Sequence, residues 1–507
     1  MPNNHEMKKL HHHPVLQGVF ILSLVLFLRL DVVFRDAFAN GFDGYYYANQ
    51  VASLLSKGSL ALPDGSWVFG FLSLPALLGV DVILSIKIVV VIFSALTSLG
   101  MLILLRQQLG RPFLALGVAV LFSLSYTQFY YSFEILKNGI GLCFLLYFLI
   151  FLPRLGKHLG HSLLALGFFV LTFFTHKLTG GFALLFLGLH TVAGGWVNRK
   201  GLMKWISQFR WFLAVGLGVL LLGMIALVLL GYSPLRLVDL QNFMSELDLI
   251  NGIDKFTQLY TQMRTLTVLG EFYFFHLIPL VFLGLWVVWH RRNSLEPKNG
   301  IWVFALFLAH VLLVAPLYHF TFDSIGYRFM ILSGFSSYLL FGYSVKFMLD
   351  LWPKAPWRLL AVGLLVYCTW TVSYTKSFLH RRVYPSIGDM NEAIEAIKQL
   401  PPDAVVIAHA GMNTALRYYT GRIATHFVPD VLDARYFRLV YGVPTLELRL
   451  LAKLLNAPDP VDTGHSYVLV QEKVFKAFRR KKGAAYKPLR SWKNPVEKRP
   501  AHVYSPF

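Results

Sequence analysis

The sequence predicts a mainly α-helical protein: a polytopic α-helical membrane domain followed by a small soluble α/β domain. Two observations indicate the membrane domain. Of 507 residues, 56% are hydrophobic and only 14% are charged, a composition typical of multi-pass membrane proteins. Up to residue 375 the chain also repeats apolar stretches of about 20 residues, the length that crosses a hydrocarbon core of roughly 30 Å. After residue 375, short strand-like and helix-like segments replace them.

Eleven apolar stretches predict about eleven transmembrane helices. They are approximately 14–34, 82–105, 112–131, 138–153, 160–175, 179–197, 211–231, 272–289, 301–318, 328–349 and 357–375. A twelfth stretch, 67–80, is shorter, and we expect it to be re-entrant or interfacial. The first stretch ends in Arg29 and Asp31 and has no small-residue cleavage site, so it does not match a cleaved signal peptide.

Charge in the loops predicts the orientation of the membrane domain. With the N-terminus in the cytoplasm, the cytoplasmic segments contain 16 basic and three acidic residues, and the opposite loops of the membrane domain contain 8 basic and 11 acidic residues. This bias follows the positive-inside rule. Eleven spans then place residues 376–507 outside the cytoplasm. A full span at 67–80 would move every later loop to the opposite side of the membrane and place the basic clusters outside.

Two domains are predicted, residues 1–375 in the membrane and residues 376–507 outside it. The first outer loop, 35–81, contains apolar residues at helical spacing that end before Gly58, a pattern typical of an amphipathic interfacial helix. A second long outer loop covers 232–270. Both cysteines fall within predicted spans, so they form no disulfide framework.

Residues 376–507 show the pattern of a small α/β domain with a basic C-terminal tail. We predict a helix over 389–400 capped by Asp389, a strand over 404–408, a second helix over 411–420 and a strand over 467–470. The segment contains 21 Lys and Arg residues and 11 Asp and Glu residues. This excess of positive charge suits anionic lipid headgroups or an anionic substrate, and it equally suits a solvated surface.

Ionisable and aromatic residues gather at the predicted outer ends of the spans, where charge is costly and usually functional. Asp43 and Glu134 are the candidate catalytic residues. The candidate substrate-binding residues are Tyr45, Tyr46, Lys137, His176, Lys177, His319 and Arg328. Arginine binds phosphate in a bidentate manner and lysine supplies a point charge, while a carboxylate serves as a base or a metal ligand. The alternative for each is an interfacial side chain that reaches water.

Four segments resemble the GT-C type of multi-spanning glycosyltransferases, nearest to the protein O-mannosyltransferase and aminoarabinose-transferase branch. The segments are Asp43–Leu60, Ser132–Lys137, Thr175–Gly181 and Asp389–Arg422. The chain departs from the pattern in two places: Gly44 follows Asp43 where many relatives have a second acid, and Glu134 stands where aspartate is frequent. The metal requirement and the acceptor therefore stay open.

The resemblance implies a GT-C-like domain that transfers a sugar from a polyprenyl-phosphate-linked donor to a glycan, lipid or protein acceptor on the extracytoplasmic face of the cell membrane. It implies Asp43 as the base or orienting group, Glu134 as the second acid with Lys137 beside it, and Lys177 and Arg328 at the lipid phosphate. A divalent cation, Mg²⁺ or Mn²⁺, is compatible with this chemistry but not required by the sequence. The membrane partners are lipids, and no nucleic-acid partner is expected.

Two other functions stay open from the sequence. A multi-pass transporter or flippase of a lipid-linked or anionic substrate would also use ionisable residues at helix ends, although such proteins commonly contain internal repeats, and none is visible here. An oligosaccharide ligase or polymerase with a larger lipid-linked donor is the second possibility, in which the 232–270 loop would have a role.

Overall fold

The computed structural model describes most of the first 200 residues and selected parts of the rest. The described residues are 13–35, 39–40, 43–155, 158–197, 271–292, 297–315, 317–318, 325–353, 397–399, 406–408, 410–421, 424–426, 436–444, 465–471 and 490–493, with the single positions 214, 218, 222, 225, 363, 366, 367, 369, 370, 373 and 395. The predicted loop 232–270, the capped helix 389–400 except for four positions, and Cys368 lie outside these residues.

The described part of residues 13–353 is helical. Its helices are α1 (Pro14–Val33), α2 (Gly44–Lys57), α3 (Val68–Leu77), α4 (Val82–Leu109), α5 (Pro112–Leu124), α6 (Tyr126–Tyr131), α7 (Leu136–Phe151), α8 (Leu159–Thr175), α9 (Lys177–Val197), α10 (Glu271–Arg292), α11 (Pro297–Val314) and α12 (Ile325–Leu351). A 3₁₀ turn, Leu152–Arg154, extends α7. Most of these helices coincide with predicted spans to within a few residues.

Three helical stretches within the described residues are long and apolar enough to cross a membrane, namely Pro14–Val33, Val82–Leu109 and Leu136–Arg154. Shorter apolar helical stretches accompany them, among them Lys177–Ala193 and Phe274–His290. These lengths agree with the predicted helical membrane protein. The number of spans stays a prediction.

The predicted span 112–131 is two helices rather than one. Ser125 has extended backbone angles, φ −64° and ψ 150°, which end α5. The Ser125 hydroxyl then accepts a hydrogen bond from the Gln128 backbone N–H and caps α6. The apolar pattern gave no sign of this break because the four aromatic residues of α6 continue the hydrophobic stretch of α5.

The first outer loop contains the predicted amphipathic helix. The helix α2 covers Gly44–Lys57 and ends at Gly58, whose φ of 69° lies in the left-handed region that favours glycine. The stretch 67–80 contains the ten-residue helix α3. Ten residues rise only about 15 Å, so this helix alone cannot span the hydrocarbon core.

The described part of the C-terminal segment contains a mixed five-stranded sheet and an 11-residue helix, and positions 395, 397 and 398 are also helical. The elements are β1 (Val406–Ala408), α13 (Ala410–Thr420), β2 (Ala424–His426), β3 (Tyr436–Pro444), β4 (His465–Gln471) and β5 (Arg490–Lys493). The strand order is β2-β1-β4-β3-β5. β1 is parallel to β2 and β4, and β3 is antiparallel to β4 and β5. The sequence indicated β1, α13 and β4 but not the other strands.

The chain divides into two compact units. The first unit contains Met1–Arg35, Pro63–Leu72 and Ile88–Lys376, and the second contains Asp36–Leu62, Ser73–Lys87 and Ser377–Phe507. The second unit therefore combines two pieces of the segment 36–87, including the start of α4, with the C-terminal segment.

Candidate active site

Three cationic side chains in the first unit gather around His176. Lys137, Lys177 and Arg328 lie within the first four residues of α7, α9 and α12, respectively. All three influence His176 electrostatically, and so does Asp64. The sequence predicted these three cations and this histidine as substrate-binding residues, and the structure brings them together at one end of three helices.

The environment keeps His176 neutral. Burial of its ring, followed by the neighbouring Lys137, Arg328 and Lys177, lowers the pKa of His176 to about 3, against a smaller opposing effect of Asp64. The His176 Nδ1 also accepts a hydrogen bond from the Thr179 backbone N–H at 3.4 Å. This leaves the proton of the neutral ring on Nε2. His176 therefore contributes a hydrogen-bond donor rather than a positive charge.

Two glycines allow the close packing around His176. A Cβ atom at Gly141 would lie 2.5 Å from Thr179 Oγ1 and 3.0 Å from His176 Cβ. A Cβ atom at Gly180 would lie 2.7 Å from Phe173 Cα. Helix α7 can therefore approach the start of α9 only because residue 141 has no side chain, and this approach brings Lys137 towards Lys177.

A short loop, Pro63–Trp67, adds an anion to this group of cations. The Asp64 carboxylate forms an ion pair with Lys137 Nζ, and its Oδ1 accepts a hydrogen bond from the Ser66 backbone N–H at 2.9 Å. Lys137 Nζ also lies 5.0 Å from the centre of the Phe69 ring. We call Asp64, Lys137, His176, Lys177 and Arg328 the charged cluster.

The loop is attached to the C-terminal end of α8. Ser66 Oγ donates a hydrogen bond to the Thr175 carbonyl at 2.5 Å, and the Trp67 backbone N–H donates to the Phe174 carbonyl at 2.9 Å. The Trp67 and Phe174 rings stack with their centres 4.7 Å apart. These contacts position Asp64 beside Lys137. Sequence reasoning missed Asp64, because Pro63-Asp64-Gly65 has the pattern of an ordinary turn.

Glu134 lies in the turn between α6 and α7. Its side chain is buried, and its backbone N–H donates to the Tyr130 carbonyl at 3.0 Å. A buried carboxyl three residues before Lys137 agrees with the predicted placement of a second acid at the start of a span. Its catalytic role stays a prediction.

Two buried charged residues, which the sequence analysis did not include among its candidates, hold the short helix before Glu134. Glu271, at the start of α10, accepts hydrogen bonds from the backbone N–H groups of Tyr126 and Thr127 at 2.6 and 3.3 Å and from Thr127 Oγ1 at 2.6 Å. The Arg29 guanidinium lies 3.6 Å from the centre of the Phe129 ring and donates to the Ser123 carbonyl at 2.8 Å. These contacts fix the break between α5 and α6.

Asp43, in the second unit, is exposed and directly precedes α2. Its side chain makes no capping hydrogen bond to the helix, although aspartate at this position usually does. Helix capping therefore does not explain why an aspartate stands at position 43.

The helix α2 packs against α13 within the same unit. The Tyr45 and Tyr419 hydroxyl oxygens are 2.9 Å apart and share a hydrogen bond, and Asn49 Nδ2 donates to the Thr414 carbonyl at 2.6 Å. Tyr45 is buried, so the packing of α2 accounts for it. Tyr46 is partly exposed, and its hydroxyl accepts a hydrogen bond from Gln50 Nε2 at 3.2 Å. Substrate binding by both tyrosines stays a prediction.

The remaining site predictions have no structural counterpart here. His319 lies outside the described residues. Among the described residues, no group of three or more His, Cys, Asp or Glu side chains is arranged to hold a metal ion. The predicted divalent cation stays open.

Solved structures that resemble this chain include two of ArnT from Cupriavidus metallidurans. One is bound to undecaprenyl phosphate and has a TM-score of 0.49, and the other, in the apo state, has a TM-score of 0.50. Each is 16% identical, and each comparison covers 82% of this chain and 86% of ArnT. The chain has the fold of ArnT.

ArnT is an aminoarabinose transferase of the GT-C type. The predicted resemblance to the GT-C fold is thereby confirmed. No family model and no curated protein matches the sequence. At 16% identity the likeness to ArnT is one of fold.

Proposed function

We propose that this chain is an integral membrane glycosyltransferase that moves a sugar from a polyprenyl-phosphate-linked donor to a glycan, lipid or protein acceptor on the extracytoplasmic face. The observation that carries the proposal is the gathering of Lys137, Lys177 and Arg328 around His176. Three cations at the ends of apolar helices suit a phosphate on a lipid tail. The ArnT fold supports the same donor class, since ArnT itself binds undecaprenyl phosphate.

The charged cluster binds the donor phosphate. Arg328 supplies a bidentate contact and Lys177 a point charge, and His176 donates a hydrogen bond from Nε2. These groups stabilise the negative charge that grows on the phosphate as the sugar leaves. The polyprenyl tail lies against the apolar helix surfaces, where its burial from water is favourable.

Asp43 activates the acceptor. Its carboxylate takes the proton of the acceptor hydroxyl while the acceptor oxygen bonds to C1 of the sugar. The bond between C1 and the phosphate oxygen breaks at the same time, and polyprenyl phosphate leaves. A single displacement of this kind inverts the configuration at C1. Glu134 acts as the second acid, and a divalent cation, Mg²⁺ or Mn²⁺, remains compatible with either carboxylate.

The first test is sugar transfer by an Asp43→Asn variant. We expect transfer of radiolabelled sugar from undecaprenyl-phosphate-linked donors to membrane acceptors to fall at least about 100-fold, because general-base catalysis typically contributes about 10² to 10⁴. Donor binding and membrane insertion should be retained. Asp31→Asn, at an exposed carboxylate near the end of α1, is the matched control and should keep wild-type transfer. Wild-type turnover by Asp43→Asn would contradict the role of Asp43.

A second experiment tests whether Lys177 and Arg328 bind the donor phosphate. Lys177→Ala and Arg328→Ala should each raise the donor KM about tenfold or more with little change in the acceptor KM, because each removes a charge-assisted contact to phosphate. Lys346→Ala, near the other end of α12, is the control. Equal losses for both substrates would argue against phosphate binding. Movement of a lipid-linked substrate across the vesicle membrane without sugar transfer would instead indicate a transporter or flippase.

A further inference from the structure

We propose that Asp64 is a specificity-determining residue that lowers the affinity of the charged cluster for the polyprenyl phosphate product relative to the donor. The inference rests on the proposed function and deepens it. Its basis is the ion pair between Asp64 and Lys137, which introduces a negative charge into a group that otherwise suits an anion.

The structure holds Asp64 in this position from two directions. Ser66 and Trp67 attach the loop to the last residues of α8, at Thr175 and Phe174, and the Ser66 backbone N–H orients the Asp64 carboxylate. Both members of the ion pair are mostly buried, with side-chain exposures of 18% for Asp64 and 19% for Lys137. Burial reduces screening by water and salt, so the charge of Asp64 acts on any anion that contacts Lys137.

The donor and the product differ in charge. The donor is a phosphodiester with one negative charge, whereas the product is a phosphomonoester that carries between about 1.5 and 2 negative charges near neutral pH. A site made only of Lys137, Lys177 and Arg328 would therefore bind the product more tightly than the donor, and the product would inhibit the enzyme. The carboxylate of Asp64 repels the product, which carries the larger negative charge, more strongly than it repels the donor.

Asp64→Asn tests this discrimination. The asparagine keeps a side-chain oxygen for the Ser66 N–H and removes the charge. We expect the Ki for undecaprenyl phosphate to fall about tenfold while the donor KM falls by about threefold or less. The reason is that loss of the Asp64 charge removes more electrostatic repulsion from the product than from the donor. Asp64→Glu keeps the charge and should retain a Ki/KM ratio near that of the wild type.

The pH dependence separates a charge effect from a change in loop structure. The second ionisation of the product has a pKa near 6, so at about pH 5 the product carries one charge like the donor. The effect of Asp64→Asn on the Ki/KM ratio should therefore disappear at that pH. Asp350→Asn, which breaks the ion pair between Asp350 and Arg111 in the same unit, is the matched control and should leave the ratio unchanged.

The possible failures are distinguishable. If the wild-type protein neither binds undecaprenyl phosphate nor transfers sugar, the proposed function fails. If the wild type is active but Asp64→Asn changes Ki and KM by the same factor, or raises both, Asp64 only positions Lys137. The proposed discrimination between product and donor is then wrong.

Discussion

His176 shows how neighbours decide the chemistry of a single side chain. A histidine at the surface would be partly protonated near pH 6.5, and a positive His176 would look like a fourth cation for the phosphate. Burial and the adjacent cations instead lower its pKa to about 3, and the Thr179 N–H occupies Nδ1. The positive charge of the cluster therefore comes from Lys137, Lys177 and Arg328, and Asp64 opposes it.

The lowered pKa of His176 predicts a pH-dependent stability. Between about pH 3 and the ordinary value of 6.5, the unfolded chain binds more protons at this residue than the folded chain. The free energy of unfolding therefore falls as the pH is lowered through this window. His176→Asn keeps an acceptor for the Thr179 N–H but does not titrate, so its apparent Tm should fall less than that of the wild type between about pH 7.5 and about pH 5.

His158 provides the matched control for this measurement. It also precedes a helix in an extended conformation, with φ −140° and ψ 132°, but it is exposed and outside the charged cluster. His158→Asn should keep the wild-type response to pH. An unchanged response in His176→Asn would show that His176 accepts a proton in the folded protein as readily as in the unfolded chain.

At the scale of elements, short helices position the candidate carboxylates. The six-residue helix α6 is fixed by Glu271 and Arg29 and leads directly to Glu134. The helix α2 follows Asp43 and packs on α13 of the C-terminal segment. Neither short helix would be stable alone, since isolated helices below about 12–15 residues are marginal in water. Their contacts with other elements therefore determine where Asp43 and Glu134 lie.

The contact between α2 and α13 is testable through Asn49. Its Nδ2 donates to the carbonyls of Tyr45 and Thr414 at 2.8 and 2.6 Å, and Asn49→Ala removes both hydrogen bonds. At about 0.5–1.5 kcal/mol each, their loss should speed amide hydrogen exchange in α2 about tenfold or more. Ser56→Ala, on the same helix, removes only a bond to the Ala52 carbonyl and should leave exchange over residues 44–52 unchanged. Equal exchange in the two variants would show that Asn49 does not anchor α2.

At the scale of the whole molecule, charge separates along the helices of the first unit. Arg328 lies near the start of α12 with the charged cluster, whereas Asp350, at the other end of this helix, pairs with Arg111 at 2.5 Å. The 27 residues of α12 span about 40 Å, enough to cross the hydrocarbon core. The two groups of charges therefore lie at opposite ends of a helix of this length. The orientation of the chain in the membrane stays a prediction.

The predicted orientation is tested by labelling the two termini. In a background of Cys143→Ala and Cys368→Ala, Asn3→Cys and Ser505→Cys each introduce a single thiol. A membrane-impermeant maleimide should label the Ser505→Cys variant in intact cells and the Asn3→Cys variant only after permeabilisation, because an odd number of spans separates the termini. Labelling of both variants in intact cells would indicate an even number of spans and overturn the assignment.

The sequence by itself determined which parts of this protein are helical and apolar. Length and hydropathy predict helices that suit a membrane, and the glycine at 58 marks the end of α2, because these properties depend on neighbouring residues. The sequence also indicated Lys137, His176, Lys177 and Arg328 as site residues, because charge beside an apolar helix is costly.

Only the tertiary structure decided which charges meet. Asp64 is 73 residues from Lys137, and Glu271 is 145 residues from Tyr126, so no local pattern pairs them. The break at Ser125 likewise depends on distant groups that satisfy the exposed backbone. Electrostatic effects fall with distance in space rather than along the chain, which is why the neutral state of His176 and the opposing charge of Asp64 appear only when the helices pack.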